Sequence, residues 1–102
     1  MVYFVRSVRM AGSKAEDWEK GWETTVGMRD YLRKCPEVKT AELITNITGR
    51  IDEIRFVVTF ESLADEEKWS LRIMEDEGYI KLMSEAAGLF DVPRDSLYRV
   101  VP

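Results

Sequence analysis

Apolar residues recur at every second position over residues 54–61, where Ile54, Phe56, Val58 and Phe60 alternate with Arg55, Val57, Thr59 and Glu61. Strict period two, carried by β-branched and aromatic side chains, predicts a strand on a sheet face. The second face is not purely polar, because Val57 sits in its middle. Such a strand is expected to be central, with cover on both sides. Residues 2–10 alternate in the same way, Val2, Phe4, Arg6, Val8 and Met10 against Tyr3, Val5, Ser7 and Arg9. They predict a first strand stitched into the sheet from its second residue. Residues 38–48 are more polar and predict an edge strand. A turn over residues 48–52 joins that strand to the central one as a hairpin. Residues 96–101 predict the last strand.

Between the strands the period lengthens to that of a helix. Ser13-Lys14-Ala15-Glu16 reads as a capping box opening a helix that runs to Lys34. Glu16 and Asp17 suit its positive end, Arg33 and Lys34 its negative end, and Pro36 stops it. At 100° per residue, Ala15, Trp18, Trp22, Val26 and Leu32 share its inward face, and Thr25 and Arg29 fall within that face. Ser62 caps a second helix that turns Leu63, Trp69, Ile73 and Met74 inward. Residues 75–78 interrupt it. A third helix over residues 79–87 presents Tyr79, Ile80, Met83 and Ala87 and ends at Gly88.

The order is thus β-α-β-β-α(α)-β, an α+β class. Two right-handed crossovers, each with a strand inserted between its ends, give an antiparallel four-stranded sheet of order 4-1-3-2 with helices on one face. The bare face would wet Tyr3, Val5, Val57, Tyr98 and Val100, and an apolar patch of that size marks an interface. A homodimer through the sheet face is the expected partner arrangement. The alternation leaves open which parity of residues faces the helices.

Composition narrows the chemistry. The 102 residues are expected to form a single domain over residues 1–102. A net charge of −4 disfavours nucleic acid and anionic membranes as partners. There is no histidine, which removes Ser-His-Asp and Cys-His nucleophilic sites, His-ligated metals and proximal-His haem. The single cysteine, Cys35, cannot form an internal disulfide. With charge interrupting the N-terminal apolar run at Arg6, a cytoplasmic location is expected. No metal and no cofactor is implied.

Several segments resemble the dimeric α+β barrel superfamily, and within it the NIPSNAP-like and antibiotic-biosynthesis-monooxygenase-like small proteins. They are Tyr3-Phe4-Val5-Arg6-Ser7, Gly12-Ser13 ahead of a Trp-containing helix, Phe60-Glu61-Ser62-Leu63, Trp69, Gly78-Tyr79-Ile80-Lys81-Leu82-Met83 and Ala86-Ala87-Gly88-Leu89-Phe90. The resemblance implies a ferredoxin-like protomer and sheet-to-sheet dimers. It covers cofactor-free oxygenases, haem-degrading enzymes, isomerases, dehydratases and proteins without known activity, so function does not follow from it. The helix histidine that binds iron in haem-degrading members is missing here.

The resemblance also implies a pocket between helices and sheet. Arg29 and Thr25 on the inward face of the first helix point to it, because arginine is rarely buried without a partner. One reading has Arg29 and the sheet arginine Arg6 bind an anionic small molecule, walled by Trp22, Trp69 and Tyr3, with Tyr3 or Asn46 as hydrogen-bond donor. The other pairs Arg29 with Glu42 or Glu61, or lets it reach the rim. Two functions stand side by side. The first is a cofactor-free, monooxygenase-like or isomerase-like protein acting on a small aromatic or anionic molecule. The second is a non-catalytic homodimeric module with no ligand.

Overall fold

The computed structural model describes residues 1–12 and 14–102. Seven elements follow one another: β1 (Val2–Arg9), α1 (Ala15–Lys34), β2 (Thr40–Thr45), β3 (Glu53–Phe60), α2 (Leu63–Ile73), α3 (Glu77–Ala86) and β4 (Arg94–Arg99). The four strands make one antiparallel sheet in the order β2-β3-β1-β4, which is the predicted order read from its other edge. The central strand is the predicted one, and the more polar β2 lies at an edge.

Strand registry decides the parity question. Val2, Phe4, Arg6 and Val8 pair across β1 and β3 with Phe60, Val58, Phe56 and Ile54, and these residues form the helix-covered side. Ile54, Val58 and Phe60 are fully buried there. Tyr3, Val5, Ser7 and Arg9 look the other way, opposite Thr59, Val57, Arg55 and Glu53. In the core, the Trp69 ring of α2 lies 5.2 Å from Phe60 and 5.4 Å from Phe4, centroid to centroid. Aromatic pairs at such spacings add about 0.5–1.5 kcal/mol each beyond the area they bury.

Local chemistry explains the element ends. The boundary of β2 falls short of the predicted residue 48 because Asn46 Oδ1 accepts hydrogen bonds from the Thr48 and Gly49 backbone N–H groups, at 2.9 and 2.8 Å. That side chain diverts the backbone into a turn. Ser62 caps α2 as expected, its hydroxyl accepting from the Asp65 N–H. The third helix begins two residues early, at Glu77, because Asp76 caps it by accepting from the Gly78 and Tyr79 N–H groups. The capping box read at Ser13 lies outside the described residues. Lys14 stands at the N-cap of α1 with no side-chain cap.

The inward face of α1 is rotated from the expected one. Its buried residues are Gly21, Thr25, Met28 and Leu32, while Trp22 and Val26 are each 37% exposed. Large side chains set the expected face, but the small ones set the real one. A Cβ at Gly21 would sit 3.5 Å from the Met10 side chain and 3.6 Å from Phe90, so the helix rests on the sheet through its glycine edge. Its Gly27 and Tyr31 flank meets α3, where Leu82 and Gly78 lie against it.

At the far end, Arg72 of α2 forks onto Glu37, with Nη2 to Oε2 at 3.0 Å, and its Nη1 reaches Asp76 at 3.1 Å. The Glu37 side chain is only 5% exposed. The Arg72 guanidinium holds the Glu37 carboxyl below the usual carboxylate range, the hydrogen bond outweighing the opposing effect of burial.

Two outcomes follow from this packing. Phe60→Ala is expected to lower stability by about 3–5 kcal/mol in chemical denaturation; a loss below about 1 kcal/mol would mean that the core is not centred there. The depressed Glu37 pKa makes the pair's contribution complete above the unfolded carboxylate pKa of about 4.3, and lost as pH falls through the lower folded value. Melting curves of Glu37→Gln across that acid range should show a shallower acid decline than the parent protein, and parallel curves would contradict the assignment.

Candidate functional site

Arg6 stands in the middle of the apolar, helix-covered row of β1, between Phe4 and Val8. A guanidinium there needs partners, and the registry supplies one. Asp95 of β4 lies directly opposite Arg6. Arg6 Nε donates to Asp95 Oδ1 at 2.7 Å and its Nη2 donates to Oδ2 at 2.9 Å, a two-pronged ion pair. Its Nη1 donates to the Tyr79 hydroxyl at 3.2 Å. Its Cζ also lies 5.6 Å from the Phe4 ring centroid, within cation–π range. The Asp95 hydrogen bond, helped by Tyr79, raises the Arg6 pKa well above the ordinary guanidinium value despite partial burial.

Arg6 and Tyr79 of this polar group line a cavity of about 180 Å³ between the sheet and the helices. Phe4, Phe56, Trp69, Met28 and Phe90 supply apolar wall, and Thr25, Met83 and the Ala86–Gly88 turn lie along the helix side. Gly88 takes a positive φ of 81°, which lets the chain leave α3 and return toward β4. The Trp69 indole N–H is buried without a hydrogen-bond partner among the described residues. Asp91 also lines the cavity, and among the described residues no cationic side chain pairs with it within 4.0 Å.

Of the residues singled out from sequence, the structure brings Arg6, Thr25 and Trp69 together on this cavity. It does not bring Arg29 to it. Arg29 Nε and Nη2 turn to Asp30 Oδ1, at 3.3 and 3.2 Å. Neither alternative partner is free for it, since Glu42 pairs with Arg33 and Glu61 with Lys39. Trp22 lies outside the lining, for the rotation of α1 described above carries it to the flank. Tyr3 faces the open side of the sheet, opposite Thr59 and Tyr98. Asn46 is occupied by its own turn. The Thr25 hydroxyl donates to the Trp22 carbonyl at 2.9 Å, so it presents its methyl rather than a donor to its surroundings.

Tyr79 and Asp95 were missed as site residues. The signal for them was Arg6 itself, a charge in an apolar row. The residue facing Arg6 has to be acidic or polar, but Asp95 fell outside the last strand expected over residues 96–101; β4 begins two residues earlier, at Arg94, and that brings Asp95 opposite Arg6.

No protein-family model and no curated protein sequence matches the chain. Solved structures do. A protein described as a candidate antibiotic biosynthesis monooxygenase from Deinococcus radiodurans superposes with a TM-score of 0.78 at 10% identity, covering 100% of this chain and 94% of that one. A NIPSNAP family protein of unknown function from Agrobacterium tumefaciens gives 0.68 at 20% identity, covering 96% and 86%. A protein of unknown function from Bacteroides fragilis, described as dimeric and of ferredoxin-like fold, gives 0.70 at 12% identity, covering 97% and 95%. At such identities the likeness speaks for architecture: this chain has the ferredoxin-like α+β fold shared by these antibiotic-biosynthesis-monooxygenase-like and NIPSNAP proteins.

Proposed function

We propose that the chain acts as a homodimer in which each protomer binds a small, neutral, aromatic molecule in the cavity between helices and sheet. The observation that carries this reading is the cavity itself: apolar and aromatic walls with a polar station at Arg6 and Tyr79, backed by Asp95, and the carboxylate of Asp91 in the lining. That is the composition of a small-ligand site. A cavity of about 150 Å³ accepts benzene, so a volume of about 180 Å³ suits a molecule of one ring.

The polar station selects against an anion. Arg6 is already neutralised by Asp95, and an anionic ligand would have to displace that carboxylate or sit beside it. Tyr79 accepts from Arg6 and keeps its own hydroxyl proton to give. The fitting ligand is therefore an aromatic carbonyl compound or phenol whose oxygen accepts from Tyr79. With turnover, the same donor, charged through Arg6, would stabilise a developing enolate or phenolate, the species common to cofactor-free oxygenation and isomerisation. Asp91, the carboxylate in the lining, would take the proton.

The dimer is supported by the open side of the sheet. Tyr3, Val5 and Val57 are only half-buried there, and Tyr98 and Val100 are 56% and 48% exposed. One of the structural neighbours is described as dimeric.

Acetophenone serves as the probe, followed by quenching of tryptophan fluorescence, with benzoate as its anionic counterpart. Acetophenone is expected to bind at least about tenfold tighter than benzoate, a difference of about 1.4 kcal/mol; the reverse order would restore the anion reading. Tyr79→Phe should weaken acetophenone by roughly threefold to tenfold, the loss of one hydrogen bond. Ala86→Phe, which fills the cavity, should abolish binding while the fold holds. In native mass spectrometry the chain should run at twice its 11.9 kDa mass. A monomer at micromolar concentration would end the dimer proposal, and a dimer that binds neither probe would favour the non-catalytic module.

A further inference from the structure

The open side of the sheet is divided along its strands. Tyr3, Val5, Val57 and Tyr98 occupy one end, and charge occupies the other. There, Ser7 of β1 lies opposite Arg55 of β3 and opposite Arg94 of β4. One cross-strand row thus reads Arg55, Ser7, Arg94, with neighbours about 5 Å apart. Arg9 follows two residues along β1 on the same side, opposite Glu53. These residues line one surface hollow together with Asp91.

Three guanidinium groups around one serine repel one another unless something negative lies among them. The chain supplies two carboxylates to the hollow, Glu53 and Asp91, against three arginines, and Asp91 makes no ion pair within 4.0 Å among the described residues. Glu53 accepts from Arg55 Nε at 2.8 Å, which occupies one edge of that guanidinium. Asp52 is held by the Arg50 fork, at 3.0 and 2.8 Å. Among the described residues, neither Arg9 nor Arg94 has a carboxylate within 4.0 Å. In a chain of net charge −4, this leaves two unpaired arginines and a hydroxyl converging on one hollow. Arginine is the side chain suited to gripping planar or tetrahedral oxyanions through paired N–H donors.

We infer that this hollow is a binding site for a small oxyanion, a carboxylate or phosphoryl group, held by Arg9, Arg55 and Arg94 with the Ser7 hydroxyl as a further donor. Its arginines lie across the sheet from the aromatic cavity, because Ser7 and Arg6 point to opposite sides, and Asp91 is the one residue that lines both. The site is separate from the apolar end of the open side, where a second copy would dock. A carboxylate group and a phosphoryl group offer the same acceptor oxygens, and the probes distinguish them.

The test titrates inorganic phosphate, and separately acetate, into the full-length protein at constant ionic strength, with sodium chloride as reference. The Ser7 and Arg9 backbone N–H signals and the arginine Nε–Hε signals are followed by NMR. Saturable shifts at Ser7, Arg9, Arg55 and Arg94 with phosphate or acetate, absent with chloride, are expected, and the tighter probe names the group. Arg94→Gln and Arg9→Gln should each raise the dissociation constant at least tenfold. Both residues are exposed, so the melting temperature should not change. Shifts that match those of chloride, or an affinity unchanged in both variants, would overturn the site. So would failure of phosphate and acetate to bind a dimer whose Arg94 signals shift on dilution to monomer, since a partner's carboxylate would then occupy the hollow.

Discussion

The antiparallel pairing of β1 with β3 is the constraint on which everything else in this molecule rests. Because side chains alternate strictly across a strand, one registry assigns every residue of both strands to a side at once. Setting Phe4 against Val58 and Arg6 against Phe56 commits the even-numbered residues to the helices. It places Phe60 under Trp69 and builds the aromatic wall of the cavity. The same registry sends Tyr3, Val5, Ser7 and Arg9 to the open side. A slip of one residue would bury Arg55 and expose Phe56, so the apolar content of β3 leaves no competing alignment.

The sheet was legible because its signal is local and binary. Ile54, Phe56, Val58 and Phe60 need only alternate for the strand to declare itself, and the hairpin and crossovers then leave one strand order. The ends of elements were less legible where a single side chain captures the backbone, as Asn46 does after β2 and Asp76 does before α3. The inward face of α1 was misjudged for a related reason. Counting large apolar residues favours Trp22 and Val26, whereas close approach favours Gly21 and Thr25, and close approach is a property of what lies opposite. Met10 and Phe90, which receive Gly21, come from distant parts of the chain.

The site depended on the same kind of non-local fact. Arg6 was visible as a charge in an apolar row, but its meaning changes with its partner. An unpartnered Arg6 would attract anions. Locked to Asp95 across strands, it becomes part of a neutral dipolar group that polarises Tyr79 instead. A two-pronged pair of this kind also fixes β4 against β1 at the edge of the sheet, where all six residues of β4 are exposed in the protomer. Arg29 resembled Arg6 in sequence terms. It lies on a helix beside Asp30, and an acidic neighbour one residue away was enough to hold it at the surface.

Helix α3 has a thermodynamic consequence of its own. None of its ten residues is buried, and it packs on α1 through Leu82, Gly78 and Tyr79, which meet Gly27 and Tyr31. A ten-residue helix has almost no intrinsic stability in water, so its order rests on that packing against α1, the Asp76 cap and the Arg6–Tyr79 hydrogen bond. Segments of this kind open at a free-energy cost far below global unfolding. Its amides would therefore exchange with solvent long before those of β1 and β3. Because α3 and the turn behind it form one wall of the cavity, such excursions would give the proposed aromatic ligand a route in without disturbing the sheet. Occupancy would in turn slow the exchange, which ties the helix's order to whatever fills the space beneath it.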